Sequence, residues 1–200
     1  MSPTRPHGWS GRTRASLTNQ QVYPKTEHGS ISLRVGVGGS PESVVRAARL
    51  GIPIALAIIG GDPGRFAPFA KLYRDQLRGF GHDTSLPISI HSPGYLADSD
   101  DEAIDEFWPL YQASFGRIGR ERGWGQANKD HFIEEVQYGS MYVGTAETVA
   151  KKIAYAVNAL GAQRFDFKYS NGPVPHERLM RNIELYATEV VPRVRAMLSQ

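Results

Sequence analysis

The 200-residue sequence predicts an α/β chain on a parallel sheet, either half of a (β/α)8 barrel or a small open four-stranded sheet. Three observations predict it. Apolar segments of strand length alternate with longer segments of helical period. Glycine- and proline-bearing turns punctuate the changes of period. The strand-helix-strand order requires right-handed crossovers, which lay helices over parallel strands.

Residues 1–30 show no periodicity. They hold Pro3, Pro6, Gly8, Gly11 and Pro24, with Arg5, Arg12 and Arg14 and no acid before Glu27. An arginine-rich, acid-poor start resembles a transit peptide, but these prolines and glycines would break the amphipathic helix such a peptide needs. The expectation is an irregular surface loop, with residues 31–200 as the barrel portion.

From residue 31 the pattern changes. Leu33, Val35 and Val37 alternate with Arg34, Gly36 and Gly38, a period-two strand. Ser40-Pro41 opens a helix with Val44, Val45 and Ala48 on one face. Pro53 to Ile59 is a continuous apolar run, as expected of a strand buried on both faces. A helix follows with Phe66, Phe69, Leu72, Tyr73 and Leu77 at helical spacing. Pro87 to His91 reads as a third strand. Asp101 to about Ile118 reads as a helix carrying Ile104, Phe107, Trp108, Tyr111 and Phe115 as core residues. Residues 119–130 read as a loop, followed by a short helix around Phe132–Val136 and a helix from Ala146 to Leu160. Arg164 to Tyr169 is a fourth strand, and one long helix from Pro175 to about Leu198 ends the pattern.

The composition narrows the function. No cysteine is present, so disulfides, thiol nucleophiles and cysteine metal sites are excluded, and a reducing, cytoplasmic setting is the default. The net charge of +3 comes mostly from arginines scattered between acids, which makes no nucleic-acid footprint. The longest apolar run, Ile52 to Ile59, is too short to cross a bilayer. Asp98 to Glu106 holds six acids but lacks the glycine of a calcium loop, and no histidine pair has metal spacing. No metal site is expected.

The turn Gly38-Gly39-Ser40-Pro41 is the most informative segment. Pro41 suits the first helical position, where its missing N–H costs nothing. Gly38 and Gly39 permit positive φ and close approach of a ligand. Free N–H groups near Ser40 and Ser43 make a helix start of the kind that binds phosphate, and the two hydroxyls add donors. A capped turn that binds nothing has the same local sequence. Neither a dinucleotide fingerprint nor a Walker lysine is present. A second segment echoes this one: Val37 to Val44 and Tyr142 to Val149 share Gly-[Ser/Thr]-x-Glu-[Ser/Thr]-Val, with Ser40 and Thr145 at the caps. Strand alternation puts Leu33, Val35, Val37, Ile88, Ile90, Phe165, Phe167 and Tyr169 toward the helices. Arg34, Gly36, Ser89, His91, Asp166, Lys168 and Ser170 share the inner face, with His91 and Ser170 best placed for chemistry at the carboxyl edge.

Longer stretches resemble a family. Gly36 to Pro53 with Ala57-Ile-Ile-Gly-Gly61 is similar to flavin-dependent luciferase-like monooxygenases. So are Ile90-His-Ser-Pro-Gly-Tyr95, Met141 to Ala150 and Phe167-Lys-Tyr-Ser-Asn-Gly172, and in the opening segment Trp9-Ser-Gly-Arg12 and Val22-Tyr-Pro-Lys25. The resemblance covers the C-terminal half of that family's TIM-type barrel. It implies reduced flavin mononucleotide (FMN), or the deazaflavin F420, acting with O2 on a small organic substrate. It places the flavin phosphate on the turn at Gly38, Gly39, Ser40 and Ser43. His91, within the His-Ser-Pro-Gly stretch, is carried over as a substrate-side residue. The implied partners are the flavin, the substrate, and a second copy or a complementing N-terminal half. The alternative is a half-barrel without catalysis that only associates with a partner chain.

Overall fold

The computed structural model describes residues 6–27, 31–123 and 125–199, in two compact units, 1–33 and 34–200. In the first unit, β1 (His7–Trp9) pairs antiparallel with β2 (Leu17–Gln20). A two-stranded ribbon thus lies inside the segment expected to be irregular. Residues 28–30 and 1–5 of that segment fall outside the described residues.

The second unit is a parallel sheet wrapped by helices. In chain order it runs β3 (Val35–Val37), α1 (Pro41–Arg49), β4 (Ile54–Ala57), a 3-10 turn (Pro63–Phe66) and α2 (Ala67–Gly79). Then come β5 (Ile88–Leu96), α3 (Asp100–Arg122), α4 (Lys129–Gln137), β6 (Tyr142–Gly144), α5 (Ala146–Leu160) and β7 (Arg164–Lys168). A last helical stretch holds α6 (His176–Leu185), a π turn (Tyr186–Val190) and α7 (Val191–Leu198). β3, β4 and β5 lie side by side, and all pairs are parallel. β5 is long enough to take two partners along one edge: Ser89–Pro93 pair with β7, and Gly94–Leu96 pair with β6. Four strands, β3-β4-β5-β7, make the partial barrel. Among the described residues β3 pairs only with β4 and β7 only with β5, so both are edges.

The main core lies between the sheet and the helices. Val37, Ile54, Leu56, Ile88 and Ile90 are fully buried against Val44, Ala47 and Ala48 of α1, Tyr73 and Leu77 of α2, and Val149 and Ile153 of α5. This is the alternation expected for β3 and β5. A second core, Tyr95, Phe107, Phe132, Met141 and Val143, holds α3 and α4 over the carboxyl end of β5.

Several expectations are corrected. Leu33 does not face the helices; it is exposed. β4 is not buried on both faces: Ile54 and Leu56 are buried, whereas Ala55 and Ala57 on the inner face are half-covered, because no described layer packs there. The third strand continues past His91 to Leu96, drawn on by pairing with β6, a strand the sequence reading lacks. α3 runs to Arg122, into the expected loop. Ser89 is fully buried rather than open on the inner face. The last helix is interrupted by the π turn just ahead of Pro192, whose missing N–H cannot join an α-helical ladder. Among the described residues no helix is long and apolar enough to cross a membrane.

Candidate functional site

The turn after β3 has the local geometry of an oxyanion cradle. Ser40 caps α1: its Oγ accepts the Ser43 N–H at 3.3 Å and donates to Glu42 Oε2 at 2.7 Å. That hydrogen bond from Ser40 holds the Glu42 carboxyl below its ordinary range. Arg46 Nη2 donates to Ser43 Oγ at 3.4 Å, which leaves the Ser43 hydroxyl proton free to point outward. Gly39 has φ +112°, and a Cβ built there or on Gly38 would meet nothing within 4 Å among the described residues beyond its chain neighbours. The Gly39 and Ser40 N–H groups have no hydrogen-bond partner among the described residues.

The echoed turn shows what such a cradle takes. Thr145 caps α5 as Ser40 caps α1, and Gly144 has φ +146°. There the Asp100 carboxylate accepts the Thr145 N–H at 2.6 Å and the Thr148 hydroxyl at 2.9 Å. A Cβ on Gly144 would lie 2.5 Å from Asp100 Oδ1, so the carboxylate occupies the space the glycine leaves. By register of the motif, Ser40 N, Ser43 Oγ and Gly39 are the same three elements at α1. At α5 they are filled by an oxyanion from α3; at α1 nothing among the described residues fills them.

A second feature lies on the same carboxyl edge. A cleft of about 290 Å³ opens over β5 and β7. Its floor carries Ile59, His91, Pro93, Lys168 and Asn171. Its roof is α3, through Tyr111, Ser114, Phe115 and Ile118, with Met141 at one side. Val37 is level with Leu56 and Leu56 with Ile90, so the cradle and His91 stand two strand spacings apart, roughly 10 Å. The residues singled out from sequence therefore form two groups on one edge: Gly38, Gly39, Ser40 and Ser43 together, and His91 in the cleft. Ser170 is exposed and is not among the cleft residues.

Tyr111 and Phe115, read from sequence as core, form the cleft's aromatic roof. The helical period says only that they share a face; it does not say that α3 lies across a sheet edge. Arg46, Glu135 and Lys152, and the reach of Asp100 to the Thr145 turn, have no signal in the local sequence. Glu135, buried on α4, accepts the Gly61 N–H at 2.8 and 3.0 Å and the Ser140 N–H at 3.1 Å. It ties the loop after β4, which presents Ile59, to the turn before β6, which presents Met141. Lys152 of α5 donates to the carbonyls of Val136 and, at 2.7 Å, Met141. Burial pushes the Lys152 ammonium down to about 8.

That shift predicts a pH dependence. Between about pH 8 and 10.5 the unfolded chain keeps the Lys152 proton while the folded chain has lost it, so this group's contribution to stability rises with pH. The rise amounts to up to about 3 kcal/mol. Above pH 10 the trend reverses, because desolvation raises the phenol pKa values of Tyr95, Tyr142 and Tyr186, the last to about 12. Their unfolded forms ionise first, and stability is lost as pH rises. Urea midpoints taken from pH 7.5 to 10.5 are expected to show the rising limb in the protein and not in Lys152→Met.

Comparison with known proteins agrees with this architecture. The family model described as luciferase-like monooxygenase matches residues 3–164. Monooxygenase RslO1 from Streptomyces bottropensis is 22% identical, with a TM-score of 0.71 over 95% of this chain and 56% of its own. The oxygenating constituent of 3,6-diketocamphane monooxygenase from Pseudomonas putida, solved with FMN, is 16% identical, with a TM-score of 0.61 over 96% and 59%. An F420-dependent secondary alcohol dehydrogenase, solved with an F420–acetone adduct, is 17% identical, with a TM-score of 0.65 over 96% and 57%. At these identities the likeness is one of fold. The chain spans a little over half the length of each. No curated protein matches it.

Proposed function

The chain belongs to the luciferase-like monooxygenase family, and from that premise we propose that it carries the phosphate-holding and substrate-facing portion of a flavin-dependent oxidoreductase or monooxygenase. The observation that carries the reading is the pair of echoed turns, one closed by Asp100 and one open at Gly39. The phosphate of FMN, or of F420, is the oxyanion the open turn fits. Gly39 and Ser40 would donate backbone N–H groups, Ser43 its hydroxyl, and Gly38 the room for approach. Arg46, behind Ser43, adds positive charge. The bound flavin supplies the redox chemistry. The chain orients it, and the apolar roof of α3 keeps water from the cleft. His91 faces the substrate and can hold or pass a proton there.

The unpaired edges β3 and β7 favour completion of the barrel by further parallel strands, from a second copy or from a complementing half. They also favour the alternative in which this portion associates without catalysing anything by itself.

Flavin-fluorescence titration tests the reading. FMN is expected to bind at least tenfold more tightly than riboflavin, which lacks the phosphate. Gly39→Val fills the cradle and strains a positive-φ site, and it is expected to remove that preference. Equal binding of FMN and riboflavin to the unmodified chain contradicts it.

A further inference from the structure

The cleft beneath α3 has a chemistry of its own. Its apolar walls are Tyr111, Phe115, Ile118 and Met141. Among the described residues that line it there is no carboxylate. Lys168, at the end of β7, has no ion-pair partner among the described residues, whereas the neighbouring inner-face acid, Asp166, is already held by Arg164 at 2.5 Å. Asn171 is 7% exposed, and its Nδ2 donates to the Lys168 carbonyl at 2.6 Å. That bond fixes the chain on both sides of the lysine and leaves the Asn171 amide oxygen as an acceptor. Lys168 is thus, among the described lining residues, an unpaired cation at the rim of an aromatic slot, which favours an anion on a flat apolar body.

We infer that this cleft binds an aromatic carboxylate, with the ring system between the α3 aromatics and Pro93 and the carboxylate on Lys168. The inference names the substrate class of the site described above and rests on that reading for calling the ligand a substrate; the binding itself needs no flavin. Lys168 is exposed, so its pull on an anion is screened by salt, and burial of the ring against the aromatic walls adds to it. The slot's volume of about 290 Å³ has room for two fused rings. His91 lines the same cleft.

The test uses 2-naphthoate and its neutral analogue 2-naphthylmethanol, by isothermal titration without flavin. Naphthoate is expected to bind with one-to-one stoichiometry, at least tenfold more tightly than the alcohol, with the preference weakening as salt rises. Lys168→Gln is expected to equalise the two ligands and Lys168→Arg to restore the preference; Lys168 is exposed, so neither change threatens folding. Gly39→Val is expected to leave naphthoate binding unchanged, which separates this inference from the phosphate cradle. Equal affinities in the unmodified chain, or a naphthoate preference that survives Lys168→Gln, overturns it.

Discussion

Gly94→Ala is expected to cost about 3 kcal/mol of folding stability, among the largest effects of any single methyl group in the protein. Gly94 stands on β5 where that strand changes partners from β7 to β6, opposite Tyr142. A Cβ there would lie 2.0 Å from Phe167 Cε2 and 2.6 Å from the Tyr142 carbonyl oxygen. Neither neighbour can give way cheaply. The Tyr142 oxygen is backbone in a paired strand, and the Phe167 ring is stacked on Tyr186, with centroids 4.8 Å apart and planes 9° from parallel. The methyl must push one of them aside, with the loss of close packing on both strands. Thermal or urea unfolding reads the effect, with a fall in Tm of roughly 10 °C for a chain of this size. Gly116→Ala, on α3, is the control. Apart from α3's own backbone and the chain neighbours, no described atom comes within 4 Å of a Cβ there, and the change is expected to stabilise by about 0.5–1 kcal/mol through helix propensity.

Glu135→Ala is expected to cost about 3 kcal/mol, and to do so locally first. The carboxylate is buried and accepts the Gly61 and Ser140 N–H groups. Its removal strands both donors and withdraws a negative charge that acts on the half-buried Lys152. Gly139 belongs to the same device, since a Cβ there would sit 2.1 Å from Glu135 Oε2. Glu135→Gln keeps one acceptor oxygen and is expected to cost less than half as much. Hydrogen exchange is the discriminating measurement: the Gly61 and Ser140 amides are expected to lose protection before the β3-β4-β5 amides do. Simultaneous loss across the sheet would mean that Glu135 supports the whole fold rather than the two walls of the cleft.

Much of the barrel portion was legible because its signals are local. Alternation at Val35 and Val37, the Ser40-Pro41 start of α1 and the Thr145 start of α5 each need only a few neighbouring residues. β6 was not legible. Three residues, Tyr142–Gly144, have no period of their own, and they become a strand only because β5 offers them an edge at Gly94–Leu96. The same holds for the site. The glycine turn and His91 announce themselves in sequence, but the aromatic roof depends on where α3 lies. Asp100 reaches its turn across 45 residues, and Glu135 reaches Gly61 across 74. Such partners are set by packing, and no local pattern encodes them.

The central claim is that the turn before α1 is an open oxyanion cradle, while its counterpart before α5 is closed by Asp100. The most direct measurement is an amide-resolved NMR titration of the chain with FMN, read at the two turns together. The account predicts shifts at the Gly39, Ser40 and Ser43 amides that saturate with FMN and are absent with riboflavin, and no shift at Thr145 and Thr148. Equal shifts at both turns, or shifts at neither while FMN binds elsewhere, would contradict it.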